Sequence, residues 1–171
     1  MFEIGDYVVY GSNGVCKITK IGHVDLPGIS QEKLYYTMKP CYVKSSEISA
    51  PVDNRQVVLR KVMSKEEAAE FVQEIPKIKK IQVTEEKKRE TMYKEALYSC
   101  EPVRIASLIK TIGDRIKERQ AEGKKVTSSD SRFFHMAEDS LFGELAISLE
   151  MNKEDVGAFI ENEIHRLQAV S

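Results

Sequence analysis

Ser64-Lys65-Glu66-Glu67 is the stretch on which the fold turns. A serine followed three residues later by a glutamate makes a capping box: the hydroxyl accepts from the Glu67 N–H while the carboxylate reaches back to the Ser64 N–H. Ala68, Phe71, Val72 and Ile75 then recur at helical spacing, and Pro76 ends the run. Before this point the signals belong to strands, and after it to helices. The sequence therefore predicts an α+β protein, a small antiparallel β-barrel followed by an all-α helical bundle.

Upstream, Tyr7-Val8-Val9-Tyr10 is a β-prone run closed by Gly11-Ser12-Asn13-Gly14. From Val15 to Ile21 the residues alternate, with Val15, Lys17, Thr19 and Ile21 expected on one face and Cys16, Ile18 and Lys20 on the other. Leu26-Pro27-Gly28 carries turn chemistry, and Leu34-Tyr35-Tyr36-Thr37-Met38 reads as a strand. Glu47-Ile48-Ser49-Ala50 runs into Pro51, which places it at an edge or a strand end. Val57-Val58-Leu59 is a candidate final strand. So short a barrel has a thin core, and the helix after Ser64 is expected to help close it.

Downstream, residues 77–83 show no period and read as a linker. Thr84 is the expected cap of a helix reaching about Ser99. Pro102 starts another, with Ile105, Ile109, Ile112 and Ile116 in one stripe and Gly123 at its end. Thr127 or Ser128 caps a fourth helix through Phe133, Leu141 and Leu149, and Asn152 caps a fifth. The expected boundaries are 1–62 for the barrel, 63–83 for the connecting helix and linker, and 84–171 for the helical domain.

The formal charge of −1 conceals a segregation. Residues 76–130 hold 14 Lys or Arg and 9 Asp or Glu, whereas residues 131–171 hold 3 and 8. A basic centre between less basic flanks favours an anionic partner. At 42% hydrophobic the chain is not disordered throughout. No apolar run approaches the ~20 residues of a bilayer span. Met1-Phe2-Glu3-Ile4 lacks the marks of a secretory leader, so the expected compartment is the cytoplasm. Cys16, Cys41 and Cys100 form no C-x-x-C pair and are expected as buried small hydrophobes. His23, His135 and His165 lie in separate elements, and no nucleophile elbow or phosphate loop occurs. The expectation is a non-enzyme with no cofactor, no metal and no small-molecule substrate.

Several segments in order and spacing resemble one family: Ile4-Gly5-Asp6-Tyr7-Val8-Val9-Tyr10, Gly14-Val15, Leu34-Tyr35-Tyr36, Ala50-Pro51-Val52-Asp53-Asn54, Leu59-Arg60-Lys61-Val62, Tyr93-Lys94-Glu95-Ala96-Leu97 and Leu141-Phe142-Gly143-Glu144-Leu145-Ala146. The sequence resembles the CarD/CdnL transcription regulators of bacteria, and its first third also resembles the polymerase-interacting module of the transcription-repair coupling factor. The resemblance implies a Tudor-like barrel that docks on the β subunit of bacterial RNA polymerase. It further implies a helical domain that touches promoter DNA, without reading its sequence, at the upstream edge of the bubble and so modulates open-complex stability. The implied polymerase surface comprises Val24, Leu26, Ser49 and Val52; Val24 and Ser49 stand where well-known members carry arginines. The implied DNA surface comprises Lys87, Lys88, Arg89, Lys94, Lys124, Lys125 and Arg132. Arg89 falls near the place of a wedge tryptophan found in some members, and this chain has no Trp. Ser131 takes a basic position of the family, with Arg132 next to it.

Two other readings remain open. A protein-interaction adaptor on the polymerase needs no DNA contact, and the acidic last segment favours it. An RNA-binding barrel would stack bases on Tyr35, Tyr36 and Tyr42.

Overall fold

The computed structural model describes residues 1–44 and 47–171. The chain divides into two units, Met1–Val62 and Met63–Ser171.

The first unit is built on five antiparallel strands: β1 (Tyr7–Tyr10), β2 (Val15–Gly22), β3 (Tyr35–Pro40), β4 (Ile48–Pro51) and β5 (Leu59–Lys61). They are ordered β4-β3-β2-β1-β5. Gly11–Asn13 form a 3-10 turn, and Gly14 at φ 68° reverses the chain into β2, a conformation that costs a glycine little. Val8, Cys16, Ile18, Tyr36, Met38 and Ala50 form the core, and Phe2 closes over Tyr36 in an edge-to-face contact at 5.8 Å. The pairings Val8↔Cys16, Ile18↔Met38 and Tyr36↔Ala50 bring these residues to one face.

Two sequence expectations shift here. Ile21 was expected to face away from Ile18, yet it packs on the same core. The register slips between Ile18↔Met38 and Lys20↔Thr37, so Thr19 is an extra, bulged residue that inverts the alternation beyond it. The last strand begins at Leu59 rather than Val57. The Asn54 carboxamide donates to the Val57 carbonyl at 2.7 Å and accepts from the Gln56 N–H at 3.1 Å, holding those residues in a loop.

The second unit contains α1 (Lys65–Glu74), α2 (Arg89–Tyr98), α3 (Pro102–Ala121), α4 (Ser128–Ser148) and α5 (Lys153–Val170). The Ser64–Glu67 capping box forms on both sides, at 3.0 and 2.8 Å. Thr127 caps α4 through the Asp130 N–H, while Asn152 occupies the α5 cap position without a side-chain bond. Thr84 caps nothing. A 3-10 turn, Glu86–Lys88, precedes α2, which starts four residues later than expected. Cys100 and Glu150 adopt left-handed φ of 56° and 55° at the α2–α3 and α4–α5 breaks, places where no glycine marked a stop.

Tyr93, Leu97, Ile105, Leu108, Ile112, Phe133, Leu141, Leu145 and Val156 form the helical core. Ala68, Val72 and Ile75 of α1 belong to this core, so α1 is a helix of the second unit. Met63, the first residue of the unit, is held by α4: its N–H donates to Glu144 Oε1 at 2.9 Å and its carbonyl accepts from Ser148 Oγ at 2.7 Å.

Residues 78–81, read from sequence as a free linker, are laced along α3. Lys110 Nζ donates to the carbonyls of Ile75 and of Ile78, the latter at 2.8 Å. Ser107 Oγ donates to the Lys79 carbonyl at 2.5 Å, and Thr111 Oγ1 accepts from the Ile81 N–H at 2.8 Å. Lys80 pairs with Asp114. Positions 107, 110, 111 and 114 share one face of α3 by helical spacing, next to the isoleucine stripe.

Candidate functional site

β4 ends the strand order of the sheet, and among the described residues nothing pairs with its outer side. The Val52 N–H donates to the Leu34 carbonyl at 2.9 Å. Antiparallel bonding alternates, so Ile48, Ala50 and Val52 turn their backbone groups toward β3, and Ser49 turns its N–H and carbonyl outward. An outward donor and acceptor on an edge strand are what a further strand would pair with.

Beside this edge lies a depression of about 560 Å³. Ser49, Thr37 and Lys20 stand opposite one another across β4, β3 and β2 and form one row of its floor. The bulge at Thr19 sets Lys20 in that row. Residues 23–26 wall one side and Glu47 another. Leu26 is 49% exposed and Val24 is half-buried, and neither belongs to the sheet core. Three of the sequence-predicted polymerase residues, Val24, Leu26 and Ser49, thus line one surface feature. Val52 does not join them. It is half-buried against the sheet core.

The tyrosine platform is not formed. Tyr35 and Tyr36 are 7% and 2% exposed, committed to packing, and only Tyr42 reaches solvent. Cys16 and Cys100 are buried as expected, but Cys41 is only half-buried.

The basic candidates fall in the second unit, around the starts of α2 and α4. Glu90 joins two of them: its Oε1 lies 3.5 Å from Lys94 Nζ and 3.2 Å from Arg132 Nη2. Lys87 and Lys88 both lie near Glu85, at 3.8 and 3.0 Å, and Lys124 pairs with Glu122 at 2.8 Å. Lys125 is exposed, with no ion pair among the described residues, and its carbonyl accepts from Arg119. These surface pairs hold their lysines weakly, because both partners are well solvated.

Arg89 behaves differently. It forks onto both Glu86 oxygens, and its Nη1 donates to the Tyr93 hydroxyl at 3.2 Å. That hydroxyl donates to Asp130 Oδ1 at 3.1 Å; Arg115 donates to Asp130 Oδ2 at 2.8 Å and to Glu86 Oε1 at 2.9 Å. The five side chains close a ring that ties the turn before α2 to α2, α3 and α4. Asp130 is 1% exposed, so Arg115 and Tyr93 supply the partners that a buried carboxylate requires. Burial pushes the Tyr93 hydroxyl pKa up, against the Arg89 hydrogen bond that lowers it. Arg89 therefore acts within the bundle, with its side chain 20% exposed.

Sequence reasoning missed this ring, since Glu86, Arg115 and Asp130 share no motif. It also missed the polar stripe on α3, whose spacing was legible, and the carboxylates Asp25 and Glu47 at the sheet depression.

Among the described residues, no group of His, Cys, Asp and Glu is arranged to hold a metal ion. No helix among them is long and apolar enough to cross a membrane. No curated protein matches the chain. Residues 2–63 match the CarD-like/TRCF RID domain, a non-catalytic type of domain that interacts with the RNA polymerase β subunit. The match begins ahead of β1 and runs through β5, covering the sheet, its core and the depression beside β4. The similarity to the CarD-like/TRCF RID domain thus lies in the first unit, and the match ends at the start of the second.

Proposed function

We propose that the protein is a non-catalytic transcription regulator of bacterial RNA polymerase. The β4 edge docks on the β subunit, with Ser49 offering backbone pairing and Val24 and Leu26 apolar contact. Val52 supports this edge from behind. The helical unit then meets promoter DNA at the upstream edge of the bubble through Lys87, Lys88, Lys94, Lys124, Lys125 and Arg132, and so changes the lifetime of the open complex. Arg89 holds the shape of that surface. Phosphate contacts of this kind carry no sequence preference, and tethering through the sheet raises their effective concentration.

The observation that carries the reading is the gathering of Val24, Leu26 and Ser49 at an open sheet edge inside the matched domain. Its test is binding of the full chain to the β subunit, with Ser49→Pro as the probe. Proline removes the outward N–H while remaining tolerable on an edge strand. A loss of about tenfold or more in affinity supports docking at β4. Unchanged binding of Ser49→Pro defeats it.

A second reading, an adaptor on the polymerase without DNA contact, draws on a specific observation: of the basic candidates, only Lys125 lacks a carboxylate partner among the described residues. Salt separates the two. With DNA contact, the effect on open-complex lifetime falls steeply with added salt at fixed polymerase occupancy. An adaptor shows no such slope.

A further inference from the structure

The ring at Asp130 has a buried half and an exposed half. Arg115 Nε donates to Asp130 Oδ2 at 2.8 Å, and Arg89 Nη1 donates to the Tyr93 hydroxyl at 3.2 Å. Those two anchors are 1% and 0% exposed. The other donors of the two arginines turn outward. Arg89 Nε and Nη2 and Arg115 Nη1 converge on the Glu86 carboxylate, at 2.8, 2.8 and 2.9 Å. Glu86 is well exposed, on a turn of only three residues, and can leave by rotating its own side chain.

When Glu86 leaves, both guanidinium groups stay in place, because Asp130 and Tyr93 still hold them. Three N–H groups then point at one position, and the fold has already met the cost of ordering them. The position favours an anion: the bonds from Arg89 and Arg115 hold the Glu86 carboxyl at about 2, below the ordinary 4.5. Glu86 Oε1 accepts from both arginines while Oε2 accepts once. A phosphodiester has two free oxygens to take the places of these two, and forked guanidinium–phosphate pairs are strong charge-assisted contacts. Cations flank the position. Lys87 and Lys88 share the Glu86 turn, and Arg119, one helical turn beyond Arg115, donates to the Lys125 carbonyl at 2.9 Å.

We infer that Arg89 and Arg115 form a preorganised phosphate-binding site, that Glu86 occupies it in the free chain as a stand-in anion, and that an incoming phosphate displaces Glu86. The source of that phosphate rests on the DNA contact proposed above: it is a backbone phosphate of the promoter. Arg115 thereby joins the DNA surface, and Glu86 holds the site closed until the duplex is presented.

The test uses the full chain, with affinity for short duplex DNA read by fluorescence anisotropy in graded salt. Glu86→Gln is expected to tighten binding about three- to tenfold at low salt, a gain that no folding defect imitates. One added phosphate contact should steepen the slope of log affinity against log salt by about 0.9. The double variant Glu86→Gln/Arg89→Lys has the same net charge but lacks the fork, and it should lose most of the gain. In a second arm, inorganic phosphate is titrated into Glu86→Gln while the Arg89 Nε–H signal is followed by NMR. A shift there without a gain on duplex assigns the site to free phosphate; the site then stands and the DNA contact fails. If neither arm responds, or if the double variant binds duplex as tightly as Glu86→Gln, the inference is overturned. Salt-dependent binding of the native chain would still uphold the DNA contact in that case.

Discussion

Glu86 receives Arg89 in a forked pair, Nε to Oε1 and Nη2 to Oε2, both at 2.8 Å. This pair lies on the surface, yet it closes a ring that reaches a buried aspartate. The hydrogen bonds from Arg89 and then Arg115 hold the Glu86 carboxyl down at about 2. A carboxyl depressed in the folded state stabilises it fully above the unfolded value of 4.5, and that contribution is lost as pH falls toward 2. The Glu86 side chain is 67% exposed, so solvent reduces the effect. Thermal melts between pH 5 and 2 should therefore decline less steeply for Glu86→Gln than for the native chain.

Glu90 restrains Lys94 and Arg132 together. If those cations serve DNA, they must exchange this carboxylate for phosphates. Glu90→Gln is then expected to lengthen the effect on open-complex lifetime by about two- to fivefold in salt-equivalent affinity, one released charge pair being a small term. Promoter-complex decay in graded salt checks it.

Glu144 is 2% exposed and accepts the Met63 N–H at 2.9 Å. Glu144→Leu leaves that donor unpaired inside the unit. The expected cost is about 2 kcal/mol, seen as a lower urea midpoint.

Thr111 both accepts from Ile81 N–H and donates to the Ser107 carbonyl, at 2.8 and 2.7 Å. Thr111→Val keeps the shape and removes both bonds. A cost of about 1–2 kcal/mol is expected, with faster hydrogen exchange at Ile81 and neighbouring amides while the α3 core amides stay protected.

Burial pushes the Cys16 thiol up to about 12. At pH 8 it should resist a thiol reagent that labels the half-buried Cys41 first, as mass spectrometry of the modified chain will tell. Because the folded value lies above the unfolded 9.0, the stabilisation is intact below pH 9 and is lost as pH rises toward 12. Cys16→Ala should flatten that alkaline decline.

The order of elements was legible because it rests on local chemistry. Ser64 and Glu67 are three residues apart, so their reciprocal bonds depend on nothing distant. The same holds for Gly14, Pro102 and Thr127, whose effects act within a turn. The isoleucine stripe of α3 showed in spacing alone, and with it the buried side of the helix. The basic middle of the chain was likewise visible as composition.

What depended on distant partners was not legible. Arg89 reads as a free cation until Glu86 and Asp130 are brought to it, and Asp130 lies 41 positions further along. The Thr19 bulge follows from how β2 pairs with β3, and it alone moves Ile21 inward and Lys20 to the row with Thr37 and Ser49. Residues 78–81 carry no period of their own, because their order comes from α3. Sequence determined which segments become strands and helices, through bonds between near neighbours. Tertiary structure decided which charges remain available to a partner, because an ion pair depends on distance in space and not along the chain.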